Sequence, residues 1–308
     1  MPELPEVETV ARGLQRAIAG RRIVSVTLGK TDFIDDPALM ERKLPGKRIV
    51  LVERYGKFLL IRFEAGSTAE DADSALLVHL GMTGMLLPQT TVEMPRKHTH
   101  VVMLLDDGRE LRYVDPRRFG RVAYLAGEKL HNELKRFGVD PLEARLKEFI
   151  AGIRSRKTRI KALLLDQSVI RGVGNIYADE SLWRAKVHPA RLGRNLGERE
   201  LTEVYRALQS VLRKAILHRG SSISDFLDAE GMPGEYQLHH RAYGREGKRC
   251  FRCGMVIRRV IVAGRSSYHC PKCQAPPREA ARKRKTPKGR LSASKVRKSA
   301  KIRKSRQG

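Results

Sequence analysis

The sequence predicts an α+β protein in which a β-rich half precedes a helical half. Three observations lead to this prediction. Short β-rich runs occupy residues 23–125, helical periodicity follows Gly127, and two cysteine pairs lie near residue 260. With 308 residues, the chain is long enough for about two domains that each bury a core.

The first element is a short amphipathic helix directly behind the N-terminus. Its apolar residues recur at helical spacing: Val7, Val10, Ala11, Leu14 and Ile18. Gly20 follows the last of them, as is typical just beyond the end of a helix.

Six short runs with strand-like composition follow this helix. They are Ile23–Leu28, Arg48–Glu53, Phe58–Phe63, Ala75–Leu80, Val101–Leu105 and Arg121–Leu125. Asp107-Gly108 is typical of a hairpin turn, and the small, acidic segment Ser67–Ser74 indicates a surface loop. Several short strands at this spacing favour a β-sandwich or a barrel.

Helical patterns dominate after Gly127. The predicted helices are Leu142–Ile153, Arg159–Gln167, Ile176–Trp183, Glu198–His218 and a short piece near Ser224–Phe226. The glycine-rich stretch Gly231–Gly247 then predicts a long loop, and loops of that length are usually functional or mobile.

The chain is strongly basic, because 62 Lys and Arg residues outnumber 34 Asp and Glu residues and leave a formal charge of +28. Such a chain attracts polyanions, so nucleic acid is the first candidate partner. No run approaches the roughly 18 apolar residues that a membrane span needs. The acidic, proline-rich start Met-Pro-Glu-Leu-Pro-Glu is unlike a signal peptide. We therefore predict neither membrane insertion nor export.

The charge is concentrated in a C-terminal tail. Residues 274–308 hold 14 Lys or Arg and a single acid, Glu279, so this segment carries +13. With almost no apolar residues, it cannot bury enough surface to offset its ordering entropy, and we predict a disordered basic tail over 275–308. Its composition fits both a DNA tether and an inert solubilising extension.

Four cysteines form two close pairs near the end of the predicted fold. Cys250 and Cys253 are separated by 16 residues from Cys270 and Cys273. This spacing predicts a tetrahedral structural zinc site with no open coordination position, although four reduced cysteines are the alternative. The insert alternates like a β-hairpin and carries three arginines: Arg258, Arg259 and Arg265.

The N-terminus offers a second candidate site. A penultimate proline is small enough for Met1 to be removed, which would leave Pro2 with a free secondary amine. The reference pKa of an α-amino group is about 8, so this amine is a better nucleophile at neutral pH than a lysine. Glu3 and Glu6 could transfer protons, or could simply complement a helix dipole.

A third signal is the glycine-rich turn Gly172-Val173-Gly174 before a predicted helix. Such a turn exposes backbone N–H groups to a phosphate, and the amide of Asn175 could add a donor. The alternative is an ordinary helix-packing element.

These motifs occur together in one order. Five segments carry the pattern: Pro2–Val10, His79–Gly84, Asp115–Gly120, Gly174–Tyr177 and the cysteine finger. From residue 2 to about residue 274 the chain resembles the bacterial formamidopyrimidine-DNA glycosylases, and the basic tail lies outside the resemblance. The resemblance implies an N-terminal helix with a β-sandwich, a helical domain with a helix–two-turn–helix, and a zinc finger on a hairpin. The expected domain boundaries are 1–130, 131–240, 241–274 and 275–308.

The resemblance also implies a bifunctional glycosylase and abasic-site lyase that removes oxidised purines from duplex DNA. Pro2 matches the Schiff-base nucleophile, Glu3 the general acid at the sugar, and Glu6 a supporting carboxylate. Lys57 matches a residue of the β-elimination step, and Arg265 matches an arginine of the δ-elimination step that also clamps a phosphate.

Further residues match DNA-contacting positions of the family. The implied DNA-binding residues are His79, His98, Arg117, Arg156, Lys161 and Asn175, although the family has lysine where Arg156 stands. Met82, Arg117 and Phe119 match residues that fill the gap left by an extruded nucleotide, while a buried core with a surface ion pair is the alternative. One structural zinc ion, damaged duplex DNA as partner, a monomer without a nucleotide cofactor, and a cytoplasmic location complete the expectation.

Two other functions remain open at this point. An endonuclease VIII-like glycosylase would act on oxidised pyrimidines, but its start looks more like Pro-Glu-Gly-Pro-Glu. A zinc-finger protein that binds DNA without catalysis would also account for the charge and the finger. We expect the loop 221–247 to read the extruded base.

Overall fold

The structure is a computed structural model that describes residues 1–66, 73–223 and 226–277. The N-terminal half contains α1 (Leu4–Ile18), β1 (Ile23–Leu28), α2 (Pro37–Lys43), β2 (Ile49–Tyr55), β3 (Phe58–Phe63), β4 (Ser74–His79), β5 (Met85–Thr90), β6 (Thr99–Leu105), β7 (Arg109–Val114), β8 (Arg121–Ala126) and α3 (Gly127–Lys135). The rest contains α4 (Leu146–Arg154), α5 (Ile160–Leu165), α6 (Asn175–Arg184), α7 (Glu198–Leu217), β9 (Arg258–Val262) and β10 (Arg265–His269). No helix in these described ranges is long and apolar enough to cross a bilayer.

Two four-stranded antiparallel sheets form the β-sandwich. Their strand orders are β1-β6-β7-β5 and β2-β3-β4-β8. Apolar side chains from both sheets, such as Met103 and Leu76, share one core with Leu14 of α1. Because α1 buries its apolar face against this core, the first residues of the chain are held at a fixed place.

The six predicted strands are all present, but the sequence analysis missed β5 and β7. β5 contains Pro88, and β7 begins Arg-Glu-Leu-Arg, which looks too polar for a strand. Arg112 of β7 is nevertheless buried, because its guanidinium lies 2.5 Å from the Glu110 carboxylate. The predicted turn at Asp107-Gly108 joins β6 to β7, with Gly108 at a positive φ of 80°.

Two loop predictions fall partly on residues that the structure does not describe. Residues 67–72 of the predicted loop lie outside the described ranges, and Ser74 already belongs to β4. Of the predicted helical piece at 224–226, residues 224 and 225 also lie outside them. Phe226 is described and is not helical. The basic tail lies outside the described residues from residue 278 onward.

The helical half contains the four longer helices that the sequence predicts. α4 begins at Leu146 rather than at residue 142, because Asp140 first caps a turn by accepting the backbone N–H of Leu142 at 3.0 Å. The sequence analysis missed α2 and α3, which have seven and nine residues. A second apolar core, separate from that of the sandwich, joins α4, α5, α6 and α7.

α6 is the central helix of this half, and its residues 176–182 are all buried. Three of them carry polar side chains that bind three different parts of the chain. Tyr177 contacts Glu6 of α1, Asp179 contacts the β9–β10 hairpin, and Glu180 contacts the loop before that hairpin. α6 therefore fixes the N-terminus, the hairpin and the loop relative to one another.

A buried ionic cluster joins the sandwich to the helical half. Arg54 of β2 is 5% exposed and lies 2.8 Å from Glu8 and 2.6 Å from Asp140. Arg171 approaches Asp140 at 3.5 Å and stacks on the ring of Tyr55 at 4.3 Å.

We expect Asp140→Asn to lower the free energy of unfolding by about 3 kcal/mol, because the substitution leaves the buried Arg54 without its closest anion. Urea unfolding measures the loss. Arg136→Ala is the matched control, since its exposed ion pair with Glu133 is worth at most about 1 kcal/mol. Equal midpoints for the two variants would contradict the prediction.

Candidate active site and DNA-binding surface

The carboxylate of Glu3 is bound by the N-terminus of α6. It accepts backbone N–H groups of Gly174 at 2.9 Å, Ile176 at 3.0 Å and Tyr177 at 3.4 Å, and its side chain is buried. A Cβ atom on Gly174 would lie 2.3 Å from the carboxyl carbon of Glu3, so the approach requires glycine. Burial raises the pKa of Glu3, while Lys57 and the three N–H groups oppose that rise.

This contact corrects one sequence interpretation. The sequence leaves two interpretations of the glycine-rich turn, a phosphate site at its backbone N–H groups or an ordinary helix-packing element. The positive end of α6 does hold an anion, but that anion is the side chain of Glu3, 171 residues away from Gly174. The helix N-terminus therefore serves to orient a candidate acid, and these three N–H groups are not a phosphate cradle.

Glu6 lies one turn further along α1 and is equally buried. It accepts the backbone N–H of Glu3 at 2.8 Å, that of Ser221 at 2.6 Å, and a short hydrogen bond from the Tyr177 hydroxyl. Burial and the neighbouring Glu3 charge raise the pKa of Glu6 to about 7. Glu6 thus caps the N-terminus of α1, in line with the alternative that these acids complement the helix dipole. It also forms a buried pair of acids with Glu3.

Pro2 and Lys57 lie beside these acids. Pro2 is buried, whereas Met1 is half exposed. Lys57, in the turn between β2 and β3, is 8% exposed, and burial lowers the pKa of its ammonium group. Glu3 opposes that shift and Arg265 adds to it, so both are within electrostatic reach of Lys57.

Arg265 is the first residue of β10 and is exposed at the end of the hairpin. The hairpin is tied to the helical half by Asp179, which accepts the backbone N–H of Tyr268 at 2.9 Å. Lys161 lies 2.7 Å from the same carboxylate and donates to the carbonyl of Ser266 at 2.8 Å.

The placement of Lys161 corrects the expectation that it binds DNA. Its side chain is 0% exposed, and its ammonium group already binds Asp179 and Ser266. A fully buried cation in such a pair cannot also neutralise a phosphate in solution. Lys161 instead supports the strand that carries Arg265.

His79 ends β4 next to Lys57. Its Nδ1 accepts the backbone N–H of Gly81 at 3.1 Å, and its ring packs on Phe58 at 4.9 Å. Burial, followed by the charges of Lys57, Arg121 and the N-terminus, lowers the pKa of His79 to about 4. A neutral ring that accepts at Nδ1 carries its proton on Nε2, which leaves one N–H donor for a ligand.

Met82, Arg117 and Phe119 form an exposed cluster. The guanidinium of Arg117 stacks over the Phe119 ring at 4.4 Å, and its Nη1 lies 3.5 Å from the Met82 sulfur. Phe119 is 56% and Met82 42% exposed. The alternative that these residues belong to a core is therefore wrong.

Asp115 holds the two loops that carry this cluster. Its buried carboxylate accepts the hydroxyl of Thr83 at 2.6 Å and the backbone N–H groups of Arg117 at 3.2 Å and Gly120 at 3.0 Å. The exposed His98 is nearby, because its carbonyl accepts the backbone N–H of Asp115.

The two remaining residues that are predicted to contact DNA, Arg156 and Asn175, differ in whether their polar groups already have partners in the protein. Arg156 is exposed, but its guanidinium is paired with Asp166 at 2.5 Å and Ser168 at 2.9 Å. Asn175 begins α6, and its buried Oδ1 has no hydrogen-bond partner among the described residues.

The four cysteines lie together at the base of the β9–β10 hairpin. Their Sγ atoms are all within 4.8 Å of one another. A tetrahedral zinc ion with Zn–S bonds of about 2.3 Å places sulfurs about 3.8 Å apart, so the four thiols fit one structural ion. The indole Nε1 of Trp183 lies 3.4 Å from Cys250 Sγ and donates a hydrogen bond to it, which orients this sulfur from outside the coordination sphere.

Sequence reasoning missed three residues that organise the site. Tyr177 and Asp115 lie inside recognised motifs but received no role. Glu180 gave no signal at all, although its buried carboxylate accepts backbone N–H groups of residues 241–243 and so fixes the end of the loop 231–247.

Comparison with known families and structures agrees with this architecture. The N-terminal domain model of formamidopyrimidine-DNA glycosylase matches residues 1–122, and the H2TH domain model of the same enzyme matches residues 137–227. A zinc finger found in FPG and IleRS matches residues 247–276.

Curated relatives are similar over their full length. A formamidopyrimidine-DNA glycosylase of Herpetosiphon aurantiacus is 44% identical over 280 residues, which cover 89% of this chain and 100% of the relative. That of Solibacter usitatus is 45% identical over 276 residues and covers 89% and 99%.

Solved structures show the same fold. The MutM (Fpg) protein of Thermus thermophilus superposes with a TM-score of 0.78 at 40% identity, covering 90% of this chain and all of the other. A Lactococcus lactis Fpg mutant in complex with DNA containing Fapy-dG gives a TM-score of 0.81 at 34% identity, covering 89% and 100%. With three domain models in order and full-length relatives above 40% identity, this chain belongs to the formamidopyrimidine-DNA glycosylase family.

Proposed function

We propose that this chain is a DNA glycosylase and abasic-site lyase that removes oxidised purines from duplex DNA through a Schiff base at Pro2. The observation that carries the proposal is the pair of buried acids at Pro2, with Lys57 within electrostatic reach of both. Complexes of the Lactococcus lactis relative with DNA containing Fapy-dG or an abasic site support the choice of substrate.

Base removal starts at the nitrogen of Pro2 after Met1 has been removed. A bond forms from this nitrogen to C1′ of the sugar and the amine loses its proton, while the bond from C1′ to the base breaks with its electrons leaving on the base, which takes up a proton from water. Opening of the sugar ring breaks the C1′–O4′ bond and gives the iminium, and O4′ takes a proton from Glu3. Because burial raises the pKa of Glu3, this carboxyl group is better able to donate that proton at neutral pH.

Strand cleavage follows from the electron-withdrawing iminium. Loss of a proton from C2′ expels the 3′ phosphate, and a second elimination expels the 5′ phosphate. We assign Lys57 to proton transfer, since burial lowers the pKa of its ammonium group. Arg265, exposed at the end of the hairpin, would hold the departing phosphate.

DNA binding would use the exposed cluster and the surrounding cations. Met82 and Phe119 are apolar groups that can fill the gap left by an extruded nucleotide, while Arg117 can bind the unpaired base. We assign phosphate contacts to His79, His98, Arg156 and Asn175, with Arg156 first leaving Asp166. We further propose that the protein acts as a monomer, without a nucleotide cofactor, on DNA in the bacterial cytoplasm.

The decisive experiment is borohydride trapping on duplex DNA that contains 8-oxoguanine. The chain with a verified free Pro2 should become covalently joined to the DNA, whereas a chain with an uncleaved N-terminal tag should not. Full trapping of the tagged chain would refute the role of Pro2, and no trapping of either would favour a non-catalytic DNA-binding protein. A preference for thymine glycol over 8-oxoguanine and formamidopyrimidines would indicate an endonuclease VIII-like enzyme instead.

The basic tail gives a separate expectation, drawn from its charge alone. Truncation after Gln274 should weaken binding to damaged and undamaged duplex alike and flatten the dependence of log affinity on log salt, because each neutralised phosphate contributes about −0.9 to that slope. Single-turnover excision at saturating protein should hardly change. Fluorescence anisotropy at several salt concentrations measures the slope, and an unchanged slope would show that the tail does not contact phosphates.

A further inference from the structure

A chain of hydrogen bonds leads from Glu6 to the loop after α7. The Tyr177 hydroxyl bonds to Glu6, and its oxygen lies 3.4 Å from Ser221 Oγ. Ser221 Oγ in turn lies 3.1 Å from Nε2 of His240. Glu6, Tyr177 and Ser221 are buried, whereas His240 is partly exposed. The chain therefore connects a buried carboxylate of the candidate site to the protein surface.

Tyr177 is the partner through which Glu6 could exchange a proton. The other two groups that donate to Glu6 within the described residues are the backbone N–H groups of Glu3 and Ser221. Backbone amides hold their protons, but a hydroxyl group can donate one proton while accepting another. Burial and the Glu6 charge raise the pKa of Tyr177 well above its usual value, so the hydroxyl stays protonated at each end state.

The direction of the chain depends on the charge of Glu6. When Glu6 is ionised, Tyr177 donates to it, Ser221 donates to Tyr177, and the Nε2–H of His240 donates to Ser221. When Glu6 is protonated, every bond reverses, and Nε2 of His240 accepts from Ser221. The position of the proton on the His240 ring is thus linked to the protonation of Glu6.

We propose that the Tyr177–Ser221–His240 chain carries protons between Glu6 and solvent during Schiff-base formation. The proposal rests on the proposed function, because the amine of Pro2 loses a proton when it bonds to C1′, and in this scheme the ionised Glu6 accepts that proton. In one transfer, Glu6 gives a proton to Tyr177, Tyr177 gives one to Ser221, and Ser221 gives one to Nε2 of His240. The Nδ1 proton of His240 then leaves to water, so one proton moves outward and each hydroxyl ends with the proton received from its neighbour. His240 is a positioning residue in this scheme, since it acts through the others.

The surroundings of His240 suit a ring that stays neutral between transfers. The groups that face it are His239 and Arg245 by charge, the rings of Tyr236 at 5.7 Å and Tyr243 at 5.6 Å, and the hydroxyl of Ser221. Burial first, then the positive Arg245, lowers the pKa of His240 to about 4. A neutral ring has one nitrogen that can accept and one that can donate, as the chain requires.

Three variants of the full chain test the proposal. Ser221→Ala removes the hydroxyl but keeps the backbone N–H that binds Glu6. His240→Leu removes both ring nitrogens, and His240→Gln keeps a hydrogen-bonding group that cannot pass a proton on. His239→Gln is the matched control, because His239 is the adjacent histidine and has no bond to Ser221.

The measurement is single-turnover excision of 8-oxoguanine between pH 5.5 and 9, in H₂O and in D₂O. We expect Ser221→Ala, His240→Leu and His240→Gln to lower the rate about ten-fold, less than the roughly 100-fold loss of a direct acid or base. Their solvent isotope effect should rise and the acidic limb of the pH profile should move, since proton transfer then limits the rate. The affinity for DNA with an abasic-site analogue should stay as in the unaltered chain.

Three results would overturn the proposal. A normal rate and isotope effect in His240→Leu would show that the chain carries no proton. A lower rate with an unchanged isotope effect, or full rescue by His240→Gln, would assign the chain a merely structural role. Should Ser221→Ala fail to fold, the two variants at the partly exposed His240 decide alone. Failure of the proposed function would be recognised by a different result, because the unaltered chain would then not be trapped on DNA by borohydride.

Discussion

Glu3→Gln is expected to slow base excision by at least about 100-fold while leaving much of the cleavage at pre-formed abasic sites. The substituted amide keeps the shape of the side chain, and its single oxygen can take the Oε2 position and accept the N–H groups of Gly174 and Tyr177. It cannot donate a carboxyl proton to O4′. At an abasic site no base has to depart, so the lyase reaction depends less on this proton.

The pH profile of the same variant carries a second expectation. Because burial raises the pKa of Glu3, the protonated acid is present below that pKa and is lost as the pH rises through it. Excision by the unaltered chain should therefore decline on the alkaline side, and Glu3→Gln should lack that decline.

Single-turnover assays on 8-oxoguanine and on abasic DNA measure the two activities separately. Glu41→Gln is a suitable control, because Glu41 is an exposed acid of α2 outside the site. An equal loss of both activities in Glu3→Gln would argue against a specific role of Glu3 in base departure.

The sequence alone predicted the residues that stand in short motifs. Met82, Arg117 and Phe119 lie in two motifs that are far apart in the chain, and the structure brings them together, with Arg117 in contact with the other two. The four cysteines were equally predictable, because two close pairs with a hairpin-sized insert leave few other arrangements.

The sequence could not show with which distant residue each polar group forms its hydrogen bond or ion pair. The N-terminus of α6 looked ready for a phosphate, yet α1 brings Glu3 to the same place, and a covalently tethered carboxylate is always present. The family resemblance implied a DNA contact for Lys161, but its partner Asp179 lies on a different helix, and the pair is buried. Such long-range pairings leave no periodicity or motif in the sequence.

Cys250→Ser is expected to abolish zinc binding and to reduce affinity for damaged duplex DNA severely. A structural zinc site supplies the folding free energy of a small finger, with apparent values of about 10–16 kcal/mol in isolated zinc-finger peptides. The apolar cluster of this finger has Cys250, Ile257 and Cys270 as its buried members, so the finger has a very small core of its own and depends on the metal, although Asp179 and Lys161 also bind its second strand. Without the hairpin, Arg265 loses its fixed position beside the site.

The rest of the molecule should keep its fold in this variant, because the sandwich and the helical half have cores of their own. Far-ultraviolet circular dichroism should therefore change little, while elemental analysis should fall from one zinc ion per chain to none. Arg259→Lys is the matched control, since it keeps the charge of the same hairpin and touches no thiol. The prediction would be wrong if the Cys250→Ser variant contained no zinc and still bound damaged DNA with normal affinity. That result would show that Arg265 reaches the DNA phosphate without a zinc-bound finger to position it.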